Sequence, residues 1–256
     1  MIKAAVSAAL LLTLIGPSLA HADEKNKIAL VIDDFGNGMN GTAQMKKLPI
    51  AFTAAIMPFM PTTKADAEAM FQLGHDVIVH LPMEPNQGKP EWLGPGAILT
   101  RMSDEEIRSR TEAAIQDVPH AVGMNNHMGS KATSDPRVMR IVLQVCKEHG
   151  LFFLDSRTTH RSVISQIGSE LDVAVLRNDM FLDDQYSASH IAGQINKLTA
   201  ETGRTPALVA IGHVGPPGKL TAAAIEQAVP RLRRQASFVH LSELLPSISR
   251  ERQILP

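Results

Sequence analysis

The chain has 256 residues, 44% of them hydrophobic, a net charge of −1 and a pI near 6.8. That is enough apolar material for one large domain with its own core, or for two small ones. The balanced charge, with no basic run, excludes nucleic-acid binders, and 4% aromatics leave no long stacking platform for a polymer.

The first 22 residues read as a targeting segment. Lys3 precedes an apolar run from Ala4 to Ile15, Gly16-Pro17 breaks it, and Ala20-His21-Ala22 forms a small-x-small cleavage pattern. The run is shorter than the ~20 residues that span a bilayer, and no Cys follows it to carry a lipid. The expectation is an exported, periplasmic protein that begins at Asp23, with no stable membrane insertion after cleavage. Cys146 is the only cysteine, so no internal disulfide forms, and its apolar helical neighbours Val142 and Val145 predict burial.

From Lys27 onward, apolar runs alternate with helical patterns. Strand-like runs cover Lys27–Asp34, Ala51–Met57, Asp76–Leu81, Ala121–Asn126, Leu151–Asp155, Val173–Asn178, Ala207–Gly212 and Phe238–Leu241. Several are continuous rather than alternating, the pattern of a parallel sheet covered on both faces. Between them, residues 62–74 end on Gly74, and Ser103 with Glu106 forms a capping box for residues 103–118. Pro136 opens residues 135–150 and Gly150 closes them, and residues 187–203 follow the same scheme. Pro230 is expected to break or restart the last helix. About eight strands separated by helices predict a (β/α) barrel or a doubly wound sheet, in one domain over 23–246 with a tail at 247–256.

The carboxyl ends of these strands are unusually polar, and functional groups gather there in such folds. The first run, "IALVIDDFG", ends on Asp33-Asp34. The later ends carry His80 and Glu84, then Asn125, Asn126 and His127, then Asp155 and Arg157, then Asp183 and Asp184, and finally His213. Two imidazoles and a carboxylate with an open position describe a catalytic divalent metal site, zinc above all. The remaining histidines past the targeting segment, including His75 and His240, share no evident location. "HVGPPG" at 213–218 either shapes a groove or turns the chain into a helix near Lys219.

Six segments, "IALVIDDFG", "GHDVIVHLPMEP", "GMNNHMGSKAT", "FFLDSRT", "NDMFLDD" and "AIGHVGPPG", together resemble the divergent polysaccharide deacetylase family, a distant branch of the NodB-type carbohydrate esterases. The similarity spans nearly the whole mature chain. It implies a deformed (β/α) barrel of about seven or eight strands and metal-dependent removal of acetyl groups from an acetylated glycan. By the family's pattern Asp33 matches the general base, Asp34 and His80 match metal ligands, and His213 matches the general acid. Where NodB-type enzymes carry a second His four residues after the first, this chain has Glu84. His127 is therefore expected to complete the metal triad, with Glu84 as competitor. Arg157 is expected to hold the base carboxylate. Asp155 fits either an orienting role toward a histidine or a cap, and Asp183 and Asp184 fit either a solvated turn or the site. Two rival readings keep the barrel without catalysis: a glycan-binding protein, and a protein whose groove docks a cell-envelope partner.

Overall fold

The computed structural model describes residues 25–245, so the targeting segment and the tail lie outside the described residues. Nine strands are present among them, all parallel. In chain order the elements are β1 (Asn26–Phe35), α1 (Thr42–Met45), β2 (Thr53–Ile56), α2 (Thr63–Gln72), β3 (Asp76–Met83), α3 (Asp104–Asp117), β4 (Ala121–Met128), α4 (Pro136–Glu148), β5 (Phe152–Asp155), α5 (Ile164–Leu171), β6 (Val175–Arg177), β7 (Met180–Phe181), α6 (Ala188–Thr202), β8 (Ala207–His213), α7 (Gly218–Leu232) and β9 (Ala236–Val239). The strand order is β6-β5-β4-β3-β2-β1-β8-β7, and β9 pairs with the start of β1.

The two edge strands, β6 and β7, are consecutive in sequence and only Asn178-Asp179 separates them. The chain therefore passes directly from pairing with β5 to pairing with β8. This link curls the sheet into a single-domain (β/α) barrel of the NodB type. The sixth strand, expected at Val173–Asn178, is β6, and the short strand β7 just beyond it was not expected. The backbone N–H of Asn178 donates to Asp155 and that of Asp179 to Val209, which holds both edges of the seam.

Strand alternation sorts the side chains into two layers. Ile28, Leu30 and Ile32 of β1 pack outward among the helices in the larger core. Each such fully buried side chain contributes about 1.5–3 kcal/mol. Ala29 and Val31 point inward with Ile78, Leu154, Val209 and Ile211 to fill the barrel. Continuing each inward row toward the carboxyl end reaches Asp33, His80, Asn125 and His127, Ser156 and His213.

The capping box of α3 is formed, with Ser103 Oγ accepting from Glu106 N and Glu106 accepting from Ser103 N. Asp135 caps α4 ahead of Pro136. Cys146 is fully buried against Met124, and burial pushes its thiol up to about 12. Pro230 does not break α7. It lies inside the last turn, and the helix ends two residues later at Leu232. His75 and His240, read from sequence as unrelated, meet at the opposite end of the barrel with ring centroids 6.3 Å apart.

Candidate metal centre

Asp33 and Asp34 reach the same side of the sheet because β1 departs from regular alternation. Ile32 pairs with Ala54 and Phe35 with Ile56, so β1 carries one extra residue between them. Asp34 sits there in the left-handed region at φ 70°. This bulge re-aims a side chain that would otherwise point toward the helices with Ile32. Gly36 makes the next turn at φ 114°. A Cβ there would lie 2.8 Å from the Met57 carbonyl oxygen, so only glycine fits.

Three atoms then converge. His80 Nε2 lies 3.2 Å from Asp34 Oδ1, His127 Nδ1 lies 3.1 Å from the same oxygen, and the two nitrogens are 3.1 Å apart. Each imidazole has a partner on its other nitrogen. His80 Nδ1–H donates to Asn125 Oδ1 at 2.7 Å, and His127 Nε2–H donates to the Trp92 carbonyl at 3.0 Å. With these tautomers both inner nitrogens present lone pairs to each other and to a carboxylate oxygen. Asp34 Oδ1 is buried and makes no hydrogen bond of its own. Such a triangle is repulsive without a cation within it. A tetrahedral ion bound at about 2.0–2.2 Å spaces its ligand atoms by about 3.3–3.6 Å, close to these separations. Asp34, His80 and His127 are the one group of this kind among the described residues, and their donor set suits a divalent ion.

Asn125 serves two neighbours. Its carbonyl orients His80, and its amide donates to Asp33 Oδ1 at 3.0 Å, leaving Oδ2 3.7 Å from His80 Nε2. Burial, 2% exposure, raises the Asp33 carboxyl above its ordinary value despite the nearby His80 and His213. Asp34 behaves oppositely. Burial works against its charge, yet the imidazoles of His127 and His80, when protonated, hold it well below the usual carboxylate range.

His213 pairs in register with Asp33 on the neighbouring strand. Its Nδ1–H donates to Asp183 Oδ1 at 2.7 Å, and its backbone N–H donates to Asp183 Oδ2 at 3.0 Å. Thr221 Oγ–H completes the grip on Asp183 at 2.7 Å. Burial opposes the charge on His213, but Asp183, Asp34 and Asp33 outweigh it and push the imidazole up to about 10. Nε2 is left for the cleft.

Three expected site residues are placed elsewhere. Glu84 Oε2 accepts from Thr100 N and Oγ, at 2.6 and 2.7 Å, and Oε1 accepts from Lys131 at 2.7 Å. It staples the loop after β3 to the loop after β4 and does not join the triangle. Arg157 does not hold Asp33. Its guanidinium reaches only the Asn178 carbonyl, and Asn125 takes the place foreseen for it. Asp155 orients no histidine; it points away from the barrel interior and accepts from Arg157 N, capping a turn at φ 57°. Asp183, expected to be either solvated or functional, is 0% exposed and bound to His213. The roles of Asn125 and Thr221 were not foreseen. Asn125 on the inward row of β4, between Gly123 and His127, was the one available signal.

A cleft of about 830 Å³ opens over this centre, lined by Asp33, Asp34, His80, His127, His213 and Asp183 at its floor. Pro216 and Pro217 form part of its wall before α7 starts at Gly218, so "HVGPPG" both shapes the groove and turns the chain.

Fold and centre together define a class: a curled parallel α/β barrel with a two-histidine, one-aspartate cluster at the carboxyl ends of its strands. The family profile described as divergent polysaccharide deacetylase matches residues 30–245, and the chain belongs to that family. It is 35% identical over 237 residues to the uncharacterized protein YibQ of Escherichia coli K12, covering 93% of this chain and 71% of that one. Among solved structures it resembles the uncharacterized protein ATU2773 of Agrobacterium tumefaciens C58, with TM-score 0.78, 18% identity and 87% and 90% of the two chains covered. The Bc1960 peptidoglycan N-acetylglucosamine deacetylase superposes with TM-score 0.50 at 14% identity, over 86% and 88% of the chains. BA3943 of Bacillus anthracis, a pseudoenzyme of carbohydrate esterase family 4, gives 0.51 at 11%, over 88% and 66%. At these identities the structures share the fold alone.

Proposed function

We propose that this chain is an exported, metal-dependent hydrolase that removes acetyl groups from an envelope polysaccharide or oligosaccharide. The observation that carries the reading is the triangle of Asp34 Oδ1, His80 Nε2 and His127 Nδ1 with both outer imidazole protons engaged. Those three side chains would hold a divalent cation, zinc by their donor set. When bound, such an ion supplies Lewis acidity toward an acyl carbonyl and acidifies water.

The chain's own residues supply the proton transfers. Asp33 is held through Oδ1 by Asn125, and Oδ2 faces the triangle. Its raised proton affinity suits a base that takes the proton of the attacking water. The water oxygen bonds to the acetyl carbon, and the bond from that carbon to the sugar nitrogen or oxygen breaks. His213, kept charged by Asp183, gives its Nε2 proton to the leaving amine or hydroxyl. Atoms balance as acetate and a free amine or hydroxyl on the sugar.

The test is acetate release from acetylated chito-oligosaccharides and acetylated xylan, with chelator and after return of zinc, cobalt or nickel. Release that stops with chelator and returns with metal is expected. No release from any of these with metal supplied overturns catalysis. The glycan-binding alternative then leads, a reading favoured by Glu84 standing where the related enzymes carry a histidine. Export rests on Lys3, the apolar run and Ala20-His21-Ala22, and an intact Met1 in the mass of the mature protein contradicts it.

A further inference from the structure

The chain contains one tryptophan and one tyrosine. Both are on the surface, Trp92 at 59% exposure and Tyr186 at 65%, and both line the cleft over the centre. Large aromatic side chains dominate burial when they find a partner, so leaving both in solvent around one cleft marks a binding surface.

Their positions in the barrel are opposed. Trp92 follows β3 and Tyr186 follows β7. In the strand order three strands separate β3 from β7 in either direction, through β2, β1 and β8 or through β4, β5 and β6. Eight strands at about 4.8 Å spacing roll to a mouth at least roughly 12 Å across. The cleft volume, about 830 Å³, lies toward the upper end of the range for small-ligand pockets. A ligand that touches both rings is longer than one pyranose and crosses directly above the triangle.

Each ring is also tied to one half of the chemistry. The Trp92 carbonyl accepts the outer proton of His127. Its loop is held by Glu84 through Thr100 and Lys131, and Lys89 Nζ lies 5.8 Å from the indole centroid. Tyr186 is three residues beyond Asp183, the partner of His213. The Trp92 loop is therefore held by groups already in place at the centre.

We propose that Trp92 and Tyr186 are two stacking subsites on opposite rims of the cleft, which commit this site to an acetylated oligosaccharide of at least two sugars. The proposal rests on the deacetylase reading for its substrate class. The apolar face of a pyranose stacks on an aromatic ring, and its hydroxyls remain in the wet rim. Two separated rings, rather than a continuous platform, fit a low total aromatic content.

The single tryptophan makes the test direct, because all indole emission comes from Trp92. Fully N-acetylated chito-oligosaccharides of one to four sugars are titrated into the metal-loaded protein while that emission is followed. Saturable change is expected from the trimer and tetramer, with affinity rising with length and little response to the monomer. Tyr186→Ala is expected to weaken the tetramer about tenfold, the scale of one lost aromatic contact, without removing the emission change. Tyr186→Phe, which keeps the ring, is expected to restore binding. No emission change with any oligomer at millimolar concentration, equal response to monomer and tetramer, or wild-type affinity in Tyr186→Ala each overturns the proposal. Acetate release measured on the same samples is independent of these readouts. Release without length dependence sinks the subsites alone, whereas length-dependent binding without release sinks the catalytic reading alone.

Discussion

Two histidine pairs occupy opposite ends of the same barrel, and both are edge-to-face. His80 and His127 have centroids 4.9 Å apart at 73°, and His75 and His240 have centroids 6.3 Å apart at 74°. Ring geometry does not distinguish them; the surroundings do. The upper pair has Asp34 Oδ1 at 3.2 Å from the inner nitrogen of His80 and 3.1 Å from that of His127, and an acceptor fixing each outer one. In the lower pair His75 stacks on Phe52, and His240 Nδ1 pairs with Glu243 at 3.1 Å. His75 Nδ1 and His240 Nε2 lack partners, and no third ligand group forms with them among the described residues. Burial, with His240 nearby, pushes His75 below its ordinary value, so it stays neutral and packs as a ring. A candidate site therefore needs a converging carboxylate and fixed tautomers, not two imidazoles alone.

That contrast can be broken most severely at the upper pair. His80→Ala and Asp34→Asn are expected to lose bound metal and acetate release together, read by metal analysis and an acetate assay. Asp33→Asn is expected to keep the metal and lose roughly 100-fold or more in rate, the scale of a general base. Wild-type rate in that variant removes Asp33 from the reaction. Asn125→Ala touches two partners at once, and loss of a tautomer-fixing acceptor is expected to cost about 10–100-fold in metal affinity.

The acid side is expected to show in the pH profile. His213 works protonated, so the rate falls as pH rises through its pKa. Asp183 raises that pKa toward about 10 in the metal-free protein, and a bound cation offsets part of the nearby negative charge. Asp183→Asn removes the anionic acceptor, so the alkaline limb of the rate is expected to move to lower pH. An unmoved limb would assign the alkaline loss to another group. The smallest effect belongs to the lower pair: His75→Phe and His240→Ala are expected to leave metal stoichiometry and rate unchanged.

The barrel itself was readable in the chain because continuous apolar runs separated by capped helices leave few alternatives. That Asp33, Asp34, His80, His127 and His213 gather in one place was readable for the same reason, since each lies toward the carboxyl end of a strand and parallel strands end together. What stayed hidden depends on contacts between distant segments. Asp183 reaches His213 across thirty positions, and Asn125 reaches Asp33 across ninety-two. The left-handed turn at Asp34 is invisible in an aspartate, which has no need of that conformation elsewhere. Glu84 stays open in the sequence as a competitor to His127 because its spacing from His80 suggests a ligand, while in the fold Thr100 and Lys131 claim both its oxygens. The short strand β7 after Asn178-Asp179 has no local signal, because it reflects where the sheet curls onto itself.

The central claim is that Asp34, His80 and His127 hold one divalent cation. Metal content of the purified chain, measured beside His80→Ala, His127→Ala, Glu84→Ala and His75→Phe, addresses it most directly. The expected result is one ion per chain in the wild type, Glu84→Ala and His75→Phe, and none in the His80 and His127 variants. Full occupancy in His127→Ala with loss in Glu84→Ala, or no ion in the wild type at saturating zinc, would contradict it.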